Sequence, residues 1–308
     1  MSAKLERDFV AADLAAVEGL LNSMTDEDIL TSFSLESRRD ELRQTLAGMI
    51  AEPETRASAA LFFSGRPVVA NRGIETEFGT AAVDKFQDVV NTVFALHQMG
   101  SLGQRGAIPG KDLAKLHITN VVHGSFGFRL EELVSQGSIV DSELKLAVDD
   151  ASRLMERFGE ADDEPFEAAV ENLDDRVLGT IREFFDLLRT NDAAFRLVAG
   201  ELDTKFDRRA VERAAERARV TTLHEEAVEF EGQLNGALRD TRIFEYRTGT
   251  ERGTISGKID PELSADDISR INRELAERDS RASVRVKQVR RGEKVSREMF
   301  TLVKIEPR

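Results

Sequence analysis

Cysteine is absent from this sequence of 308 residues. Its absence excludes disulfide bonds, cysteine-ligated metal centres and thiol nucleophiles, and nothing in the chain requires an oxidising compartment. Long apolar runs are also absent: the longest are short stretches such as residues 59–63, and the first residues are charged where a signal peptide would be apolar. We therefore expect a cytoplasmic protein that does not span a membrane.

The composition is that of a folded protein. Apolar residues make up 41% and charged residues 32% of the chain, and this balance is typical of globular domains. The length is sufficient for two or three domains, each with its own core. Arginine outnumbers lysine, and alanine, glutamate and aspartate are abundant, which resembles the usage of GC-rich bacterial genomes. We expect a bacterial protein.

The C-terminal end differs in net charge from the rest of the chain. The formal net charge of the chain is −14, with −18 in residues 1–240 and +4 in residues 241–308. An acidic surface repels the phosphates of nucleic acid, whose binding depends on their neutralisation. Any contact with nucleic acid is therefore expected in the last quarter of the chain.

Residues 1–54 form the first predicted domain, a helical hairpin. Phe9, Leu14, Val17 and Leu21 repeat at helical spacing, and a cap-like acidic turn precedes a second run of the same kind. Two isolated helices are marginally stable in water and need a packed face. We expect this face to pack either on the rest of the chain or on a second copy, so that a homodimer is one prediction.

Residues 55–220 form the second predicted domain, which mixes strands and helices without βαβ alternation. The turn residues 64–67 predict a hairpin between the strands on either side of them. The pattern predicts strands near residues 60–63, 68–70, 116–122, 126–130 and 194–198, and helices near residues 80–97, 141–158, 164–172, 174–190 and 207–219.

Residues 221–308 form the third predicted domain, a small five-stranded β-barrel with one helix. Three segments in which apolar and polar residues alternate predict three strands. A helix follows, whose start is marked by a capping box of Ser264 and Asp267, and two more strands come after it. This order resembles that of an OB-type barrel, and an SH3-like barrel would give nearly the same string. The predicted fold class of the whole chain is therefore α+β.

The last two predicted strands concentrate positive charge. An OB-type barrel binds single-stranded nucleic acid by pairing a basic groove with stacking aromatic rings. The alternative is that a half-buried hairpin needs charged outer residues in any case and that the aromatic residues belong to the core. The candidate residues for binding nucleic acid or a protein partner are Arg285, Lys287, Arg290, Arg291, Phe244 and Tyr246.

A second constellation lies on the predicted strands near residue 120. His117 and His123 are six residues apart on an extended segment, with Ser125 and Arg129 close by. A metal site would need a third ligand, and a Ser-His pair would need an orienting carboxylate; the local spacing supplies neither. We therefore predict no metal and no cofactor, and interpret the two histidines as structural.

These observations favour a non-catalytic binding or adaptor protein whose C-terminal barrel contacts nucleic acid or a protein partner. The alternative is a hydrolase or nuclease centred on His117, His123, Ser125 and Arg129. Convergent polar groups in a pocket near these residues would favour the enzyme.

Overall fold

The fold is mixed α+β, as the sequence predicts. The structure is a computed structural model, which describes residues 3–23, 29–48, 55–70, 72–102, 106–122, 126–133, 140–171, 173–292 and 294–308. These residues form eight helices and three sheets. The chain divides into two compact units. Unit 1 comprises Met1–Ala169 and Arg176–Ala218, and unit 2 comprises Val170–Asp175 and Arg219–Arg308.

Unit 1 begins with two helices, α1 (Ala3–Ser23) and α2 (Ile29–Gly48), that pack against each other. An ion pair of 2.6 Å between Glu18 and Arg43 joins them. Leu42 of α2 is buried, whereas Phe33 of the same helix is 74% exposed. The helical prediction is confirmed for the described residues, and packing of this pair on a second copy stays a prediction.

A five-stranded antiparallel sheet forms the centre of unit 1, with the strand order β4-β5-β1-β6-β7. Its strands are β1 (Ser58–Gly65), β4 (His117–Val122), β5 (Phe126–Glu131), β6 (Ala193–Ala199) and β7 (Leu202–Phe206). The run from Ser58 to Phe63 is buried throughout, and β1 lies in the middle of the sheet with a neighbouring strand on each side.

The hairpin predicted around residues 64–67 does not form as expected. Two short strands, β2 (Val68–Val69) and β3 (Gly73–Ile74), pair with each other in a separate sheet. Both neighbours of β1 come from distant parts of the chain, β5 on one side and β6 on the other. No edge of β1 is therefore left for β2, although the turn between them is real.

Five further helices lie wholly or partly in unit 1. They are α3 (Thr76–Met99), α4 (Glu143–Gly159), α5 (Glu164–Glu171), α6 (Asp175–Thr190) and α7 (Arg208–Val220), of which α5, α6 and α7 cross the boundary between the units. Of these helices, α3, α4 and α6 contact the central sheet. The core between helices and sheet is rich in phenylalanine. Phe195 on β6 stacks on Phe206 at 4.3 Å between ring centroids and meets Phe184 of α6 edge-on at 5.2 Å.

Unit 2 is a five-stranded sheet that closes on itself. Its strands follow one another around the closed sheet in the order β8-β9-β10-β12-β11. They are β8 (Thr221–Leu238), β9 (Ile243–Thr248), β10 (Thr254–Ile259), β11 (Asp279–Arg291) and β12 (Lys294–Pro307). The long β8 pairs with both β9 and β11, and the parallel pair of β10 and β12 completes the ring.

One helix, α8 (Ala265–Leu275), connects β10 to β11. The hydroxyl of Ser264 accepts from the backbone N–H of Asp267, whose carboxylate accepts from the N–H of Ser264, so the predicted capping box is confirmed. Ile268, Ile271 and Leu275 are buried in the core of the closed sheet. The helix therefore packs its one apolar face against the interior of unit 2.

Candidate functional site

The four cations predicted to form a binding surface lie on β11. Arg285 and Lys287 share one face of this strand, as its alternation predicts. The neighbouring strand β8 places carboxylates beside them, because Glu225 is directly opposite Lys287 and Glu231 is opposite Arg281. Directly opposed residues of an antiparallel pair share a face. Much of the positive charge of β11 is therefore balanced within the sheet.

Arg285 is engaged by two carboxylates of its own unit. Its Nε lies 3.2 Å from Oε1 of Glu225, and its Nη2 lies 3.2 Å from Oδ2 of Asp260. The side chain of Asp260 is 9% exposed, so this carboxylate is largely shielded from water. An incoming phosphate would have to compete with both carboxylates for the same guanidinium.

Lys287 does not face open solvent. Its ammonium donates to the carbonyl oxygens of Glu171, at 3.1 Å, and of Leu173, both in the part of unit 2 formed by residues 170–175. Burial lowers the pKa of Lys287, although the nearby carboxylates of Glu225 and Asp174 act in the opposite direction. The prediction that Lys287 is an outward-facing binding cation is therefore corrected: it holds the chain that follows α5.

Arg290 is the one exposed residue of the four, and Arg291 is half-buried. The guanidinium of Arg290 donates from Nε (3.2 Å) and Nη2 (2.8 Å) to Oε1 of Gln288, which is a neutral acceptor. On the adjoining strand, the exposed Arg297 is paired with Glu171. Of the four predicted cations, Arg290 near the end of β11 is therefore the one that stays accessible to a ligand.

Phe244 and Tyr246 lie inside the closed sheet and are fully buried. The hydroxyl of Tyr246 is 2.7 Å from the carbonyl oxygen of Ser280 and 3.2 Å from that of Phe230, and burial raises the pKa of the phenol. Neither ring presents a face on which a base could stack. The prediction that they bind nucleic acid is corrected: both are core residues.

An apolar pair is exposed where β8 and β9 meet. Leu238 is 60% and Ile243 is 43% exposed, and the two residues are directly opposite in the register of the strands. Directly opposed residues share a face, so the two side chains form one small apolar surface. The local sequence pattern does not reveal this pair, because only the register of β8 and β9 brings the two residues together.

On β4 and β5 the structure adds a carboxylate to the predicted constellation. His117 is exposed and directly opposite Glu131. The carboxylate of Glu131 accepts from the guanidinium of Arg129 and from the hydroxyl of Thr119. His123 and Ser125 lie outside the described residues. The sequence alone does not single out Glu131, because only the register of β4 and β5 places it opposite His117.

Within the part of the chain that the structure describes, no cluster of three or more His, Asp or Glu side chains is placed to hold a metal ion. None of the described helices is both long enough and apolar enough to cross a membrane.

Comparison with known proteins identifies no relative. No family model, no curated protein and no solved structure matches the chain. What the chain does has to be inferred from its own residues.

Proposed function

We propose that the chain is a non-catalytic binding or adaptor protein, and that unit 2 contacts a protein partner in preference to nucleic acid. The observation that carries this proposal is the exposed pair of Leu238 and Ile243 on a closed sheet whose cations are largely engaged by its own groups. Exposed apolar side chains that adjoin one another are a feature of protein-binding surfaces.

The closed sheet is proposed to be an OB-like barrel. Three features support this: a long first strand that pairs with two neighbours, a helix between the third and fourth strands, and a parallel contact between the third and fifth. OB-type barrels bind ligands on the face of their second and third strands and on the loop that joins the first two strands. Leu238 and Ile243 flank that loop here.

Nucleic acid is the less favoured ligand of the same surface. Binding of single strands requires cations that track the backbone and aromatic rings on which bases stack. The outward positions of β9 and β10 supply mixed charge and hydroxyl groups, and the two predicted aromatic residues are internal. These outward residues are Ile243, Glu245, Arg247, Thr254, Ser256 and Lys258.

We expect Leu238→Asp/Ile243→Asp to weaken partner binding strongly, because two carboxylates replace the apolar surface that the partner would bury. A loss of at least about tenfold in affinity is expected for central contact residues. Proteins of the source organism that are retained on the immobilised full-length chain are identified first. The partner is then purified and titrated against the wild type and the variant.

The matched control is Thr254→Asp/Ser256→Asp, which adds the same charge at two exposed positions of β10. This control is expected to keep the affinity of the wild type. Equal retention by all three proteins would show that the surface of Leu238 and Ile243 is not the binding site. Circular dichroism confirms that each variant is folded.

We expect the full chain to bind single-stranded DNA and RNA weakly or not at all at about 150 mM salt, since the acidic surface opposes approach. Fluorescence anisotropy with labelled oligonucleotides, measured from low to high salt, checks this. Each phosphate contact with a single strand adds about 0.7 to the slope of log affinity against log salt. Tight binding with a slope that Arg290→Ala/Arg297→Ala reduces would favour nucleic acid over protein.

A hydrolase or nuclease remains the second candidate function. The observation that favours it is the carboxylate of Glu131 beside His117, held by Arg129 and Thr119. The oligonucleotide samples, incubated with and without a divalent cation, test it directly. Cleavage that disappears in His117→Ala would replace the binding proposal by the enzymatic one.

A further inference from the structure

Strand β4 is the outer strand at one end of the central sheet. It pairs with β5 on one side, and no other described strand pairs with it. Ile118 is 56% and Val121 is 38% exposed, and the segment from His117 to Val122 carries no formal charge. Edge strands are usually protected by charged residues, proline or a β-bulge, because their free backbone groups can pair with another chain. The segment from His117 to Val122 has no charged residue and no proline, and it has a bulge between Ile118 and Asn120.

A β-bulge gives this edge an unusual symmetry. Ile118 is opposite Leu130 and Val121 is opposite Phe128, while the two residues between them face a single residue of β5. In a regular strand, positions three apart point to opposite faces. The extra residue of the bulge brings Ile118 and Val121 onto the same face. This is also the face on which Phe128 lies. The ring centroid of Phe128 is 6.5 Å from that of the core residue Phe63.

We propose that β4 pairs with β4 of a second copy, antiparallel and around a two-fold axis between Thr119 and Asn120. In this register Ile118 of each copy is opposite Val121 of the other. Four apolar side chains then meet on one face and extend the core of the sheet. Thr119 and Asn120 are opposite each other at the axis.

The second copy is favoured as the occupant for two reasons. The order of exposed apolar residues is the same in both directions from the bulge, so that identical edges are complementary. The edge carries no formal charge, and two copies therefore meet without the repulsion that like charges cause in cross-strand pairs.

The expected interface is small. A strand of six residues spans about 20 Å, and a single pair of edges buries less than the roughly 1,200 Å² of a stable interface. The two sheets would join into one of ten strands, which is near the upper limit for open sheets. We therefore expect a dimer that forms at micromolar or higher concentration.

Introduced cysteines test this register, since the chain has none of its own. Ile118→Cys/Val121→Cys places two pairs of thiols directly opposite each other across the axis. Opposed Cα atoms are about 4.5–5.5 Å apart in antiparallel pairs, within the range for a disulfide. Each single-cysteine variant is the control, because its thiols are about 10 Å apart along the strands.

Mild oxidation at micromolar concentration is expected to give a covalent dimer of the double variant alone, and reductant should remove it. Light scattering of the wild type should show a mass that rises above the monomer mass of 34.3 kDa as the concentration increases. The variant Ile118→Lys/Val121→Lys should remain monomeric, and its circular dichroism spectrum should equal that of the wild type. A wild type that stays monomeric, a double-cysteine variant that does not cross-link, or single variants that cross-link equally well would each overturn the proposal.

Discussion

Replacing Gly232 with alanine is expected to destabilise the closed sheet of unit 2 severely. A Cβ atom at this position would lie 2.0 Å from the carbonyl oxygen of Arg247 and 3.0 Å from the Cα of Thr248. Both atoms belong to the backbone of β9, which cannot move away as a flexible side chain would. Because β8 pairs with β9 and β11 at once, a shift of either neighbour opens the ring.

We expect a loss of about 3 kcal/mol or more in the free energy of unfolding, above the usual cost of overpacking. For a unit of this size the midpoint of thermal unfolding should fall by roughly 12 °C or more. Gly236→Ala is the matched control on the same strand, since its added Cβ meets no heavy atom within 4 Å. Calorimetry of the two variants and the wild type measures the difference.

Gly257 offers an independent test at the point of closure. A Cβ there would lie 2.0 Å from the carbonyl oxygen of Phe300, on the strand that completes the ring. Gly232→Ala and Gly257→Ala should therefore both have lower midpoints of thermal unfolding than Gly236→Ala. Equal midpoints for the three variants would show that the stability of unit 2 does not depend on the close approach of these strands.

Local signals in the sequence were sufficient for several elements. The start of α8 was predicted from the four residues that form its capping box, because a cap depends on neighbours in the chain. The position of β1 was predicted from its apolar run, but its partners were not. Pairing of β1 with β5 and β6 is decided by long-range packing, which outweighed the nearby turn.

The chemistry of the predicted surface depended on contacts that the sequence does not reveal. The alternation of β11 correctly placed Arg285 and Lys287 on one face. What occupies that face is set by residues far away: the carbonyl that Lys287 contacts at Glu171 is 116 residues earlier in the chain. Only the register and the fold bring these groups together.

The burial of Phe244 and Tyr246 could have been predicted. On β9, the face opposite to theirs carries Glu245 and Arg247, which are seldom buried without partners. Alternation therefore requires the two aromatic residues to point inwards once one face is buried. The core interpretation follows from the pattern itself, and the binding interpretation does not.

Replacing Arg217 with methionine is expected to have a comparably large effect on unit 1. The residue is 7% exposed, and it satisfies the end of α4, where the last carbonyl groups of a helix lack intrahelical partners. Its guanidinium donates to the carbonyl oxygens of Phe158 (2.9 Å), Glu160 (2.7 Å) and Asp162 (2.9 Å). It also lies 5.0 Å from the ring centroid of Phe166.

Methionine keeps the apolar stem of Arg217 but removes its donor from the buried carbonyl of Phe158 and from the part-buried carbonyls of Glu160 and Asp162, of which Glu160 still accepts from Arg213. Each group that is left unsatisfied costs about 1–3 kcal/mol. We expect a loss of about 3 kcal/mol or more, and a midpoint of thermal unfolding lower by roughly 6–12 °C. Arg217→Lys should recover little of the lost stability, because one ammonium cannot reach several separate carbonyl acceptors as the guanidinium does.

The control is Arg153→Met. The side chain of Arg153 is 64% exposed and forms a surface ion pair worth about 1 kcal/mol at most. Equal stability of the Arg217 and Arg153 variants in denaturant titrations would show that the end of α4 does not depend on this clamp.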